Sequence, residues 1–271
     1  MDIVYLFRHS KFDDTEIRYS LRSVAENLAW IRKVWVFGDR PEFLSDDTRI
    51  IEHVPWEAVA WLRHVQAPVR NFFLQCFLVA QHPEVAAEFL LFCDDYILLG
   101  PLTEAVARRD RYLEDLSRLT ERGGGVWKQT LWRTHDWLRR LGYSGLNFET
   151  HTPMFLTKKR VFEAYRDLHD YVTEDRFFGI LGPTGILNHA YKQERFPLTK
   201  LSDEKLHVGF HYQPAVSAQI VEKAQGKLFL NFDDEAFSDD LRRFLAERFP
   251  EPCVYERGSV CSTSPVATGI G

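Results

Sequence analysis

Apolar and polar positions alternate in blocks along this chain. Ile3 to Phe7 is a short run of β-branched and aromatic residues and predicts a strand at the start. Arg8-His9-Ser10-Lys11 follows as a polar loop. Asp13-Asp14-Thr15-Glu16 then predicts a helix start, with acids at the positive end of its dipole. Ile17, Leu21, Val24 and Leu28 recur at spacings of three and four, one apolar stripe along that helix. Lys33 to Phe37 predicts a second strand, Gly38-Asp39-Arg40-Pro41 a turn, and Arg49 to Val54 a third strand. A β-α-β-turn-β opening of this kind belongs to a mostly parallel sheet with covering helices.

Pro55 to Gln81 reads as helix-rich, with a break near Ala67-Pro68 and a helix beginning at Arg70-Asn71. Thr103 to Arg122 is charged and predicts helix. Gly123-Gly124-Gly125 forms a joint before a second helix, Val126 to Leu141, which Gly142 ends. This second helix carries Trp127, Trp132 and Trp137 beside Lys128, Arg133, Arg139 and Arg140. Such aromatics serve either as core or as a stacking face for bases or sugars. Phe148 to Leu156 passes from loop into strand. Val161 to Tyr171 and Glu174 to Tyr191 predict helices, with a loop at Gly182-Pro183-Thr184-Gly185. His207 to Tyr212 and Lys227 to Asn231 predict strands, and Asp233-Asp234-Glu235 predicts the cap of a last helix, Ala236 to Arg248. The expected organisation is one catalytic domain over 1–256, with a helical insertion near 103–145 and a disordered tail over 257–271.

The most informative stretch is Phe89-Leu90-Leu91-Phe92-Cys93-Asp94-Asp95-Tyr96-Ile97-Leu98. A continuous apolar run marks a strand buried on both faces. It stops at two adjacent carboxylates, which are seldom buried without a partner. Their natural place is the carboxyl end of the strand, where open α/β sheets bind ligands. There they either cap the next turn or form a hard oxygen site for Mg²⁺ or Mn²⁺, able to hold a diphosphate. Arg8 and Ser10, Asp39, His151, and Asp233 and Asp234 also stand at strand tips, so they can converge on the same edge.

Composition narrows the classes. The 271 residues are 45% hydrophobic and 14% aromatic, as expected of a globular chain with a large core. A net charge of −5 argues against binding nucleic acid through a strong overall field. Cys76, Cys93, Cys253 and Cys261 form no CxxC pair, and buried free thiols suit a reducing cytoplasm. The first residues lack the basic and apolar regions of a signal peptide, and no apolar run approaches the roughly 20 residues of a membrane span. The expectation is therefore a cytoplasmic chain without membrane contact. There is no GxxxxGK[ST] loop, no GxGxxG after the first strand and no GxSxG elbow, which disfavours three common enzyme designs.

Several blocks resemble a known family. Glu16-Ile17-Arg18-Tyr19-Ser20-Leu21-Arg22-Ser23 resembles a block of the compact glycosyltransferases often encoded by bacteriophages, which are similar to the Stealth group of capsule-type sugar-phosphate transferases. Asp2 to Tyr5, Val34 to Gly38, Arg70-Asn71, Phe92 to Asp95, His151-Thr152-Pro153, Leu230 to Phe237 and Phe249 to Glu256 resemble further blocks in the same order, across residues 2 to 256. Cys93 departs from the family's usual Asn.

The resemblance implies an α/β GT-A-like (nucleotide-diphospho-sugar transferase) fold and a metal-dependent glycosyltransferase using a UDP-sugar or similar donor with Mn²⁺ or Mg²⁺. It implies Asp95, Asp94 and Asp234 as metal ligands, and His151 with Asp95 as catalytic residues. Phe7, Arg8, Ser10, Arg18, Tyr19, Asp39, Arg70 and Asn71, with Asp94, are implied on the donor side, where guanidinium groups suit phosphate. Arg22 is expected to serve packing. The implied acceptor is either a 5-hydroxymethylpyrimidine in phage DNA, which duplex DNA would have to flip out, or a glycan or protein. The neighbouring reaction is transfer of sugar-1-phosphate in surface polysaccharide synthesis.

Overall fold

The computed structural model describes residues 1–61, 64–119 and 121–258. In chain order the elements are β1 (Asp2–Phe7), α1 (Thr15–Asn27), β2 (Val34–Gly38), β3 (Ile51–Val54), α2 (Trp56–Ala60), α3 (Phe72–Gln81), β4 (Glu88–Phe92) and β5 (Ile97–Leu98). There follow α4 (Glu104–Ala107), β6 (Asp110–Tyr112), α5 (Val126–Arg140), β7 (Met154–Thr157), α6 (Lys158–Leu168), α7 (Gly182–Glu194) and β8 (Leu198–Lys200). The described chain closes with α8 (Leu201–Glu204), β9 (His207–Phe210), α9 (Ser217–Ala224), β10 (Phe229–Phe232) and α10 (Asp239–Arg248).

The main sheet has the order β3-β2-β1-β4-β7. Its β1–β2, β2–β3 and β1–β4 pairs are parallel, while β7 joins β4 antiparallel. Alternate residues of each central strand feed opposite layers, which is why the runs read as continuously apolar. Val4, Trp35, Phe37, Phe89 and Leu91 pack with α3, α6 and α7 on one face. Ile3, Tyr5, Val34, Val36, Leu90 and Phe92 pack on the other face against the stripe of Ile17, Leu21, Val24 and Leu28 from α1. The architecture is α/β, with a mostly parallel sheet between helices.

A smaller sheet, β5-β10-β9, continues from it. Only Cys93 to Tyr96 separate β4 from β5. Polar groups of α1 fix this passage. Ser20 Oγ donates to the Tyr96 carbonyl at 2.5 Å, the Leu98 amide donates to Ser23 Oγ at 3.0 Å, and Asn27 Nδ2 donates to the Leu98 carbonyl at 3.2 Å. Ser, Ser and Asn therefore sit beside an apolar helix face without loss, because each satisfies a buried backbone group.

Three expectations need correction. Thr103 to Arg122 is not one helix. It holds α4, β6 and a single 3₁₀ turn over Leu116–Arg118. Two of its charges are inside: Asp110 meets Arg160 Nη1 at 3.1 Å and Arg111 Nε meets Glu204 at 2.5 Å, all four side chains nearly removed from solvent. Helix does not run from Glu174; α7 begins at Gly182 with Pro183 in its first turn, where a fixed φ and a missing N–H cost nothing. The last helix is capped by Ser238, whose Oγ accepts from the Leu241 amide at 3.2 Å. Asp233 is occupied elsewhere, accepting from the Tyr212 and Ala236 amides. Residues 259–271, including Cys261 and most of the expected tail, lie outside the described residues.

Candidate functional site

The turn between β4 and β5 forms the floor of a cleft of about 330 Å³ lined by Glu16, Asp94, Asp95, His151, His211, Phe232 and Asp233 to Glu235. Five parts of the chain meet there for a topological reason. β1, β2 and β4 are parallel, so their carboxyl ends share one edge, and α1 starts from that edge with Glu16. β9 and β10 are parallel neighbours, with Asn231 opposite Gly209 and Phe232 opposite Phe210. Their carboxyl ends therefore deliver His211 and the Asp233-Asp234-Glu235 turn side by side. The loop before β7 supplies His151.

The electrostatics are those of crowded acids. Burial pushes the Asp94 carboxyl up from the usual range, and Glu16 and Asp234 push it further. Burial and the charge of Asp94 raise Asp95, while a hydrogen bond from Asn231 opposes that rise. Glu16 is raised by burial despite Ser10 Oγ donating to it at 2.7 Å. Asp234 lies 3.1 Å from Lys11 Nζ at the exposed rim. The donor set is all carboxylate oxygen, the chemistry that Mg²⁺ and Mn²⁺ take. Among the described residues no group of three or more His, Cys, Asp or Glu side chains is already gathered around a metal position.

The histidines form the opposite wall. Burial, then the nearby His211 and His207, lower His151 to about 4, so its ring is neutral near pH 7. The His151 and His211 rings lie 5.7 Å apart. His211 Nδ1 is 3.7 Å from Asp233 Oδ2, and His207 Nε2 is 2.7 Å from Asn231 Oδ1. His151 (φ 53°) and Tyr212 (φ 67°) both hold left-handed backbone, a conformation that bulky residues keep only where the surroundings enforce it, and one that clusters at functional sites.

No family model and no curated protein matches this chain. Among solved structures it is similar to an active-site mutant of LgtC, at 13% identity over 92% of this chain and 95% of that one, TM-score 0.47. It is similar also to the galactosyltransferase LgtC in complex with donor and acceptor sugar analogs, at 14% identity over 93% and 97% of the two chains, TM-score 0.46. A third is mouse xyloside xylosyltransferase 1 in its apo form, at 10% identity over 87% and 98%, TM-score 0.43. These likenesses are distant, and the chemistry of the cleft rests on its own residues.

Of the residues singled out in the sequence, Asp94, Asp95, Asp233, Asp234 and His151 line the cleft together. Ser10 borders it through Glu16. The others do not line it. Phe7 is buried at the tip of β1, Arg8 is exposed beside it, and Asp39 accepts from the His9 amide at 2.8 Å. Gly38 ties these tips together: at φ 117° an added Cβ would stand 2.1 Å from the Phe7 carbonyl oxygen. The Arg18 guanidinium lies 4.3 Å from the centre of the Phe43 ring. Tyr19 packs among the aromatics of the smaller sheet, beneath Arg22. Arg70 is exposed ahead of α3. Asn71 is buried as the cap of α3, accepting from the Leu74 amide at 3.0 Å and donating to the Asp175 carbonyl at 3.1 Å. Sequence reasoning missed Glu16 and His211 as cleft residues. An acid opening the first helix after β1 was the available signal for Glu16; nothing local marked His211.

Proposed function

We propose that this chain is an enzyme, a glycosyltransferase that moves a sugar from a nucleotide-diphosphate donor to an acceptor hydroxyl in the cleft above the β4–β5 turn. The observation that carries this is the pair Asp94 and Asp95 on the floor of an open cleft, with carboxyl groups that burial and mutual charge make costly to ionise. Such a site suits a divalent cation, whose charge would relieve that cost. Asp94 and Asp95 would hold such an ion, with Asp234 alongside, and it would supply charge stabilisation for the departing diphosphate.

Arg8, exposed at the tip of β1 on the same sheet edge, supplies a phosphate contact in this reading. In the transfer, the donor's C1–O bond breaks and its electron pair leaves with the diphosphate. The acceptor oxygen bonds to C1 and its proton passes to a base of the cleft. His151, held neutral by burial, keeps a ring lone pair for that hydrogen bond.

Isothermal titration of the full chain with uridine diphosphate and Mn²⁺ tests the reading. Metal-dependent binding is expected in the wild type and is lost in Asp95→Asn. No heat with any nucleoside diphosphate, with or without metal, overturns it.

A further inference from the structure

His211 is the wall between two cavities. One is the acid cleft. The other is a side pocket of about 90 Å³ under the loop after β9, lined by Gly209, Phe210, His211, Gln213, Pro214, Ala215, Gln219 and Lys223. The chemistry changes across that wall. The cleft holds six carboxylates, whereas the side pocket holds none. It offers two amides, one ammonium and the faces of Phe210 and Pro214, with Lys223 Nζ 5.9 Å from the centre of the Phe210 ring.

The loop that roofs it is fixed along its length. The Tyr212 amide donates to Asp233 at 2.8 Å, Ser238 Oγ donates to the Ala215 carbonyl at 2.5 Å, and the Ser217 amide donates to Asp240 at 2.9 Å. Next to the pocket, Tyr212 is 87% exposed, its ring centre 6.0 Å from that of His211 and tilted 51° to it. The pocket is small but adjoins the cleft, sharing His211 with it, and two glutamines and a lysine are among its lining residues.

We propose that this side pocket is the acceptor subsite and that it takes a neutral pyranose ring, the terminal sugar of a glycan. This rests on the transferase reading above and names its acceptor. Gln213, Gln219 and Lys223 meet the sugar's hydroxyls. Tyr212 offers its ring face to the sugar's C–H face, and the reactive hydroxyl points past His211 into the cleft. A nucleic-acid acceptor fits less well. The chain carries a net charge of −5, unfavourable for a polyanion. Part of the basic-aromatic face expected on α5 is used internally: Trp132 is buried with Nε1 donating to the Arg122 carbonyl, Trp137 packs on Tyr171, and Arg133 donates to the Phe177 carbonyl, while Trp127, Lys128, Arg139 and Arg140 stay exposed.

Saturation-transfer NMR on the full chain with methyl pyranosides, and separately with 5-hydroxymethylcytidine, tests the pocket without needing turnover. Gln219 is exposed on α9, so Gln219→Trp fills the pocket without disturbing the core. At least one pyranoside is expected to bind the wild type and to bind Gln219→Trp roughly tenfold more weakly. Lys223→Ala should weaken it by a smaller factor, and uridine diphosphate affinity should be unchanged in both. Absence of pyranoside binding, pyranoside binding that Gln219→Trp leaves intact, or binding of the modified nucleoside that Gln219→Trp abolishes would each overturn the assignment. Failure of uridine diphosphate to bind while pyranosides do bind would instead count against the transferase reading alone.

Discussion

Arg22 and Glu256 stand 234 residues apart in the chain and share a two-pronged ion pair, Nε to Oε1 at 2.6 Å and Nη2 to Oε2 at 3.0 Å. Arg22 also donates to the Phe249 carbonyl at 2.9 Å. The last described segment is thereby fastened to α1, the helix that presents Glu16 to the cleft. Both side chains are largely buried, so removing one leaves the other charge unpaired. Arg22→Ala should cost about 3–5 kcal/mol in urea unfolding. Arg22→Lys should recover little, since an ammonium cannot make the paired contact. A double-mutant cycle with Glu256→Gln checks that the cost belongs to the pair.

The crowded acids of the cleft make a prediction of opposite sign for stability and function. Asp95→Asn removes a carboxylate whose ionisation burial and Asp94 oppose. Without metal at neutral pH, the variant should be more stable than wild type by about 1 kcal/mol or more. Added Mn²⁺ should raise the melting temperature of the wild type and not of the variant. A variant less stable than wild type in metal-free buffer would contradict the picture of a strained acid pair.

Glu149 gives a pH prediction away from the acid pair. Its Oε1 accepts from the Thr184 amide at 3.1 Å and from Thr184 Oγ1 at 2.9 Å, yet burial pushes the carboxyl up to about 7. The folded protein therefore holds this proton at higher pH than the unfolded chain. The associated stability is present below the ordinary value of 4.5 and is lost as pH rises through 7. Glu149→Gln keeps the acceptor and removes the titration. Unfolding measured from pH 5 to pH 8.5 should show the variant gaining on wild type as pH rises, by about 3 kcal/mol at most.

Gly209 makes room for the histidine wall. A Cβ there would stand 2.6 Å from His211 Nε2 and 2.9 Å from Asn231 Oδ1. Gly209→Ala should cost about 1 kcal/mol or more in stability, because Asn231 is buried and cannot withdraw freely. It should shift the His211 ring resonances in NMR and lower transfer more than it lowers nucleotide binding. Unmoved His211 resonances would show that the wall does not depend on this position.

Legibility in the sequence depended on where each residue finds its partners. β1, β2 and β4 were visible because both their faces are buried, so every position in the run is apolar. α1 was visible because it covers one face only. The Asp94-Asp95 tip was visible because a carboxylate pair cannot continue such a strand inward. The segment 103–122 was not, since Asp110 and Arg111 find Arg160 and Glu204, and no local pattern distinguishes a charge paired at long range from one in water. His211 was hidden for the same reason: it reaches the cleft only because β9 lies parallel to β10. Trp127, Trp132 and Trp137 were open to either reading; their neighbours bury Trp132, half-bury Trp137 and leave Trp127 exposed.

The passage from β4 to β5 takes only Cys93 to Tyr96, and these residues join the five-stranded sheet to the three-stranded one. Whatever the two carboxylates grip is therefore held at a seam between layers that are otherwise separately hydrogen-bonded. Occupying that seam should stiffen both sides at once. Amide hydrogen exchange should slow in β10 as well as in β4 when nucleotide and metal are added, although no residue of β4 itself lines the cleft.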